Sequence, residues 1–173
     1  MTAAPRSSSV VSIELLLDPD TEARVRADWQ RLADAGLSSL AAHTSPSNRP
    51  HITLLVRPAL AEAAFAAAAE LLPVPVALAE PVVFAHGDRG VLVWRVTLTD
   101  ELRELHWEVH LAAGPGPDAP HTAAGEWTPH ITLARRLRLA SLPDARGAIG
   151  PALAGTGVSL RRWDSASATV SPL

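Results

Sequence analysis

Hydrophobic positions along the chain follow two rhythms, and the switches between them divide it into strand-like and helix-like stretches. Val10–Leu17 is a β-branched and aliphatic run that predicts a strand. From Pro19 to about Ala35 the apolar spacing becomes helical: Leu16, Val25, Trp29 and Leu32 suit one buried stripe. Asp18, Asp20 or Thr21 supplies an N-cap, Glu22 sits in the first turn, and Gly36 is a terminator. Ala41–Arg49, with His43, Ser45, Pro46 and Asn48, is a polar loop that delivers the chain to His51. Ala59–Leu72 is Ala-rich and predicts a helix, and Val74–Phe84 a strand. Val91–Thr97 predicts another strand, and Thr99 to about Ala112 another helix, with Leu102, Leu105 and Val109 at helical spacing beside Trp107. Gly114–Thr128 carries Gly114, Pro115, Gly116, Pro117 and Pro120; so long a loop forms a lid or rim of a cleft, or is a tolerated insertion. A weaker helical stretch, Leu142–Leu153, and strand candidates Val158–Arg162 and Ala166–Val170 complete the pattern.

One word interrupts these rhythms twice. Pro-His-Ile-Thr-Leu stands at Pro50–Leu54 and again at Pro129–Leu133, each time after a strand and a helix and before a helix and a strand. The chain therefore reads as two copies of strand–helix–strand–helix–strand, a duplicated α+β unit whose repeated words lie near a pseudo-twofold axis. Residues 10–173 are expected to form a single bilobal domain, with lobes of approximately 10–86 and 90–173 after a flexible N-terminus, 1–9.

Composition narrows the setting. A 47% hydrophobic fraction over 173 residues suits one soluble domain with a real core. The absence of Cys excludes disulfides, thiol nucleophiles and Cys-based metal sites, and fits a cytoplasmic protein. Met1–Ser9 lacks the apolar core of a signal peptide, and no apolar run approaches the length of a membrane span. All 15 basic residues are Arg, a bias that fits a GC-rich genome. The net charge of −3 argues against a protein that coats nucleic acid through many phosphate contacts, but not against a pocket for one phosphodiester. Nothing resembles a coiled coil or an exposed apolar stripe, and a monomer is expected.

The chemistry lies in the repeated word. In a strand, His51 and Thr53 share one face while Ile52 and Leu54 share the other; His130 and Thr132 oppose Ile131 and Leu133 in the same way. If both polar faces line one groove, two imidazoles flank a phosphodiester. A neutral His takes a proton from the attacking hydroxyl or water, and a protonated His gives one to the leaving oxygen. The Thr hydroxyls donate to the non-bridging oxygens as charge develops there. The scheme needs no metal or other cofactor. Arg57 and Arg136 each lie six residues after their His, and Arg49 two before His51, so by strand parity all three return to the polar face as phosphate-binding or rim charges. His106 and His110, at i and i+4, share a helix face, but no third ligand stands at a recognisable metal spacing.

With these residues the chain resembles the two-histidine (2H) phosphoesterase superfamily, in the branch of 2′-5′ RNA ligases and 2′,3′-cyclic phosphodiesterases. The family's paired His-hydrophobic-Thr/Ser-hydrophobic motifs stand here as His51-Ile52-Thr53-Leu54 and His130-Ile131-Thr132-Leu133. Leu17-Asp18-Pro19, Thr21-Glu22, Trp29 and Ala35-Gly36-Leu37 add to the likeness, which spans nearly the whole chain. The resemblance implies an α+β fold with two antiparallel-rich sheets around a central cleft and helices outside. It implies His51 and His130 as acid and base, Thr53 and Thr132 as phosphate ligands, and RNA or a nucleotide with a cyclic phosphate or 2′-5′ linkage as substrate. Because the second motif continues Ala134-Arg135, it favours Arg135 over Arg136. It also implies an aromatic side chain against a nucleobase; with no Tyr, that falls to Phe65, Phe84 or a Trp, of which Trp94, Trp127 and Trp163 come into question. Trp127, three residues before His130, is the cleft candidate, unless it is a buried strand-flanking Trp. The expected activity is a metal-independent cyclic phosphodiesterase, with reversible 2′-5′ RNA ligation as a related reaction. The alternatives are a non-catalytic RNA- or nucleotide-binding module on the same fold, and a metal-dependent phosphoesterase using His106, His110 or His121.

Overall fold

The computed structural model describes residues 9–173; the expected flexible segment 1–9 falls, apart from Ser9, outside the described residues. β1 (Val11–Leu17) runs into α1 (Pro19–Asp34), whose N-terminus is capped by the Asp18 carboxylate accepting from the backbone N–H of Asp20 and Thr21. Gly36 follows with φ 73°, the left-handed conformation that ends a helix and that a side chain resists. β2 (His51–Arg57) precedes a five-residue helix, α2 (Ala66–Glu70), and then β3 (Val74–His86). β4 (Arg89–Val96), α3 (Asp100–Ala113), β5 (His130–Arg138), α4 (Leu142–Ala148), β6 (Leu153–Asp164) and β7 (Thr169–Pro172) follow. The chain is thus α+β, with the predicted order of strands and helices.

All strand pairs are antiparallel, and the order is β2-β1-β6-β3-β4-β5, with β7 on β6. The two sheets of the sequence expectation are joined into one by the pairing of β3 with β6. The third strand of each repeat crosses to the other repeat: β3 pairs with β4, and β6 pairs with β1. The sheet curves enough for β2 and β5, at opposite ends of this order, to come into contact.

One sheet face, bearing Ile13, Leu15, Ile52, Leu92, Trp94 and Ile131, joins Val25, Trp29 and Leu32 of α1 and Leu102, Leu105 and Val109 of α3 in a single core. Within it Asp28, 1% exposed, accepts from the Trp94 indole N–H (2.9 Å) and the Gly150 backbone N–H (2.7 Å) and pairs with Arg31, so α1 is bound to both β4 and the segment before β6.

Two helices are shorter than expected. The segment 59–65 is not helical, because the Arg162 guanidinium, projecting from β6, donates to the Leu60 and Ala61 carbonyls that a helix would use, while Leu60 and Phe65 turn into the core. α4 stops at Ala148, ahead of Gly150 and Pro151, which do not extend a helix, and β6 begins at Leu153.

Asp28→Ala leaves the buried Trp94 indole and the half-buried Gly150 N–H without their acceptor. It is expected to cost about 2–4 kcal/mol of stability in a denaturant titration, with the urea midpoint falling and the slope unchanged.

Candidate functional site

His51 and His130 open β2 and β5 in matching settings. The Nδ1 of His51 lies 2.6 Å from the Arg49 carbonyl, and the Nδ1 of His130 lies 2.7 Å from the Thr128 carbonyl. A carbonyl only accepts, so each Nδ1 carries a proton and each Nε2 is the nitrogen left to exchange one. The backbone after each motif is also treated alike. The register slips by one residue between Thr53 and Leu55, opposite Ile13/Glu14, and again between Thr132 and Ala134, opposite Leu92/Val93. The extra residues are Leu54 and Leu133, both fully buried. The Thr53 carbonyl accepts from the Trp127 indole, and the Thr132 carbonyl from the Trp29 indole, each at 3.0 Å.

The bulge reverses strand parity, and that decides which arginines reach the site. Arg57 is paired with Val11, on the face opposite His51. It is 4% exposed, and its guanidinium is fully occupied by Asp118 (2.6 Å) and the carbonyls of Ala113 and Gly114. The expectation that Arg57 binds phosphate is therefore corrected: it ties the 114–128 segment to β2, which makes that segment a strap at the rim. A Cβ on Gly116 would stand 2.6 Å from the guanidinium carbon, so the strap passes this close only with glycine there. In β5 the same parity change puts Arg135, not Arg136, on the face of His130 and Thr132. Arg136 takes φ 57° in a second irregularity opposite Gly90/Leu92, and its carbonyl accepts from Arg89. Both side chains are exposed. Arg49 is engaged by Glu22 through Nε and Nη2, at 2.6 Å for the latter, so its guanidinium is turned to α1.

Around His51 and His130 the face carries Thr53, Thr132, Glu14, Arg95 and Phe84. Glu14, a carboxylate within the apolar β1 that the sequence reading passed over, is 4% exposed. Its Oε1 lies 3.6 Å from His51 Nε2 and accepts from the Ser12 hydroxyl, and its Oε2 accepts from Arg161 Nε at 2.7 Å. Its one visible signal was its charge within the run Val-Ser-Ile-Glu-Leu-Leu-Leu. Phe84, 41% exposed, sets its edge against the His130 ring at 5.1 Å and 79°. A cavity of about 690 Å³ adjoins this histidine, lined by Glu80, Val82, Phe84, Arg95, Trp127 and Thr128 among others, a size that accommodates a nucleotide. Trp127 reaches it, but one indole face is stacked on His106 at 4.2 Å and 7°. Phe65 and Trp94 are buried in the core, and neither touches the cleft face.

His130 titrates below the ordinary histidine value: burial removes hydration from the imidazolium, and the charges of His121 and His51 add to this, against the Thr128 carbonyl. His106 and His110 lie behind β2. His106, 6% exposed, donates from Nε2 to the Thr122 carbonyl at 2.9 Å, while His110 sits between the Leu54 carbonyl and Asp118, at 3.3 Å from each. Among the described residues no group of three His, Asp or Glu side chains converges as a metal cage would.

Residues 19–173 match the family described as the 2′-5′ RNA ligase superfamily. The fold is similar to that of Usb1 from Kluyveromyces marxianus, at 15% identity and a TM-score of 0.49 over 98% of this chain and 100% of that one. A structure of the same Usb1 with uridine monophosphate gives 16% identity and a TM-score of 0.47, over 96% and 98%. A structure described as a phosphoesterase gives 16% and 0.46, over 96% of each chain. No curated protein matches the chain. Among the described residues no helix is long and apolar enough to cross a membrane.

His106 makes stability depend on pH. Burial pushes it down to about 4 from the 6.5 of an exposed histidine. The unfolded chain therefore binds more protons between these values, so stability present above pH 6.5 is lost as the pH falls towards 4. The full loss from this residue is on the order of 3 kcal/mol. His130, shifted in the same direction, adds to it. Denaturant titrations from pH 7 to 4 are expected to show this decline, and His106→Gln, which has no proton to bind, a shallower one.

Proposed function

The chain belongs to the 2′-5′ RNA ligase superfamily, and on that footing we propose that it is a metal-independent phosphodiesterase. It opens 2′,3′-cyclic phosphate ends of RNA or of nucleotides to a 2′-phosphomonoester, with reversible 2′-5′ RNA ligation as a related reaction. The observation that carries this reading is the matched pair of imidazoles. Both are held at Nδ1 by the carbonyl two residues earlier, and both turn Nε2 towards the same face beside a threonine. One Nε2 takes a proton from water while the other gives one to the departing sugar oxygen. Thr53 and Thr132 donate to the non-bridging oxygens, and Arg135, on the same face, offsets the phosphate charge. The cavity beside His130 takes the nucleoside, with Phe84 as its aromatic wall. A 2H phosphoesterase needs nothing further for this reaction, so the proposal includes no metal and a monomer suffices.

The test is hydrolysis of a short RNA ending in a 2′,3′-cyclic phosphate, in EDTA, with 2′- and 3′-phosphate products separated. Wild type is expected to release the 2′-phosphate, and His51→Ala and His130→Ala each to lose about 10²–10⁴-fold in kcat. If the variants are folded and turn over like wild type, the two-histidine reading fails. The binding-module alternative is supported instead if wild type binds the RNA with no turnover.

A further inference from the structure

The face that carries the two histidines continues past them along β4 and β5. From Arg89 to Trp94, β4 runs in unbroken register with β3, so Arg89, Val91 and Val93 share one face. It is the motif face, on which Val93 stands opposite Thr132 and Arg95 opposite His130. At its far end β3 sets His86 on one side of Arg89, and β5 sets Arg138 on the other. A row of basic side chains thus crosses three strands, with Arg135 between it and Thr132.

The row is assembled against two local preferences. Between Ala134 and Leu137, β5 has two residues where β4 has one, and Arg136 takes up the difference at φ 57°, a conformation that side chains resist. That second irregularity turns Leu137 into the interior, 1% exposed, and returns Arg138 to the motif face. Two guanidinium groups then stand directly across from each other, and like charges in such a pair destabilise a sheet. Seven arginines elsewhere among the described residues meet a carboxylate, whereas Arg89, Arg135, Arg136 and Arg138 meet none, Asp88 of the adjoining turn included. Arg89 has one bond, from Nη1 to the Arg136 carbonyl at 3.1 Å, which holds its guanidinium against β5. In a chain of net charge −3, these unpaired cations are concentrated on the reactive face.

We propose that Arg89 and Arg138 form a second phosphate site, which takes a non-reacting phosphate of an RNA backbone, so that the preferred substrate is an RNA strand rather than a mononucleotide. This rests on the phosphodiesterase reading and narrows it. An anion between the opposed guanidinium groups removes their repulsion, and each planar fork matches phosphate oxygens in pairs. The spacing selects a strand. Arg89 lies four residues along β4 from Val93, which faces Thr132, so roughly 13 Å of extended backbone separates the two positions. The phosphates attached to one ribose stand closer together than that. With Arg135 between, a strand whose reacting phosphate lies at Thr132 passes from one guanidinium to the next along the face.

The test compares two substrates with the same terminal nucleoside: a nucleoside 2′,3′-cyclic phosphate, and an RNA pentanucleotide that ends in it. Wild type is expected to favour the pentanucleotide in kcat/KM by about 10-fold or more. Arg138→Glu gives Arg89 a carboxylate partner. It is expected to lose about 10-fold on the pentanucleotide, to keep its activity on the mononucleotide, and to melt no lower than wild type. Arg138→Ala is expected to make the dependence of log KM for the pentanucleotide on log salt shallower by about 0.7. Equal losses on both substrates, or none on either, overturn the second site while the phosphodiesterase reading stands. If a 5′-phosphate on the mononucleotide recovers the whole preference, the second phosphate is the nucleotide's own and the strand assignment falls. A wild type inactive on both substrates sinks the phosphodiesterase reading, and binding of a pentanucleotide with a 3′-phosphate then decides the site alone. Weaker binding with a shallower salt slope in Arg138→Glu upholds it, and unchanged binding ends it.

Discussion

A single extra residue in each motif strand, Leu54 in β2 and Leu133 in β5, is the constraint on which the site depends. Without it, strand alternation would carry the polar face of His51 and Thr53 straight on through Leu55 to Arg57. With it, the face changes after the motif. Leu54 and Leu133 are both taken into the interior, and the buried sequence resumes at Leu55 and Ala134. The cost of a bulge is a disturbed ladder, and here each motif carries an added partner: the Thr53 and Thr132 carbonyls accept indole N–H groups from Trp127 and Trp29. Each Trp comes from a different element, so the motif strands are gripped at their backbones from the strap in one case and from α1 in the other.

The same bulge explains much of what the sequence showed and hid. The histidine–threonine pairs were legible because they lie before it, where a period of two holds. Arg57 was misplaced because it lies after it, and a one-residue slip sends every later side chain to the other face. Arg135 was favoured over Arg136 through likeness to a family, and the register puts it on the face of His130 and Thr132. Helices α1 and α3 were legible nearly to the residue, since their apolar stripes are long and their caps, Asp18 and Thr99, are local. The 59–65 segment was not, because its backbone partners come from Arg162, a hundred residues away. The crossing of β3 and β6 between repeats was hidden for a related reason: an aliphatic strand is compatible with any apolar neighbour, and only the closed sheet chooses.

The long approach to the second motif illustrates how composition can suggest mobility where chemistry supplies fixation. Glycine and proline in 114–128 read as a lid or rim of a cleft, or as a tolerated insertion. In the folded chain Asp118 binds Arg57, the Ala119 N–H donates to the Val56 carbonyl, and the Thr122 hydroxyl accepts from the Val56 N–H. The free edge of β2 is thereby covered, which a sheet edge of this apolar character requires. The strap then continues to Trp127 and Thr128, so the element that seals one motif strand also holds the Nδ1 of the other motif's histidine.

A duplicated fold suits acid–base chemistry only in part. Symmetry delivers two imidazoles in equal geometry, each with Nε2 presented, but a reaction needs one charged and one neutral at the same moment. Identical surroundings would leave the proton shared between them, with the productive arrangement no more populated than its mirror image. The backbone devices in this protein, carbonyl to Nδ1 and indole to threonine carbonyl, are kept the same on both sides. Among the differences are residues one strand away, Glu14 against Val93 and Leu16 against Arg95, where a side chain changes the field at an imidazole without moving it. Position and local field are thereby set by different strands, so the two imidazoles share one backbone geometry in unlike surroundings.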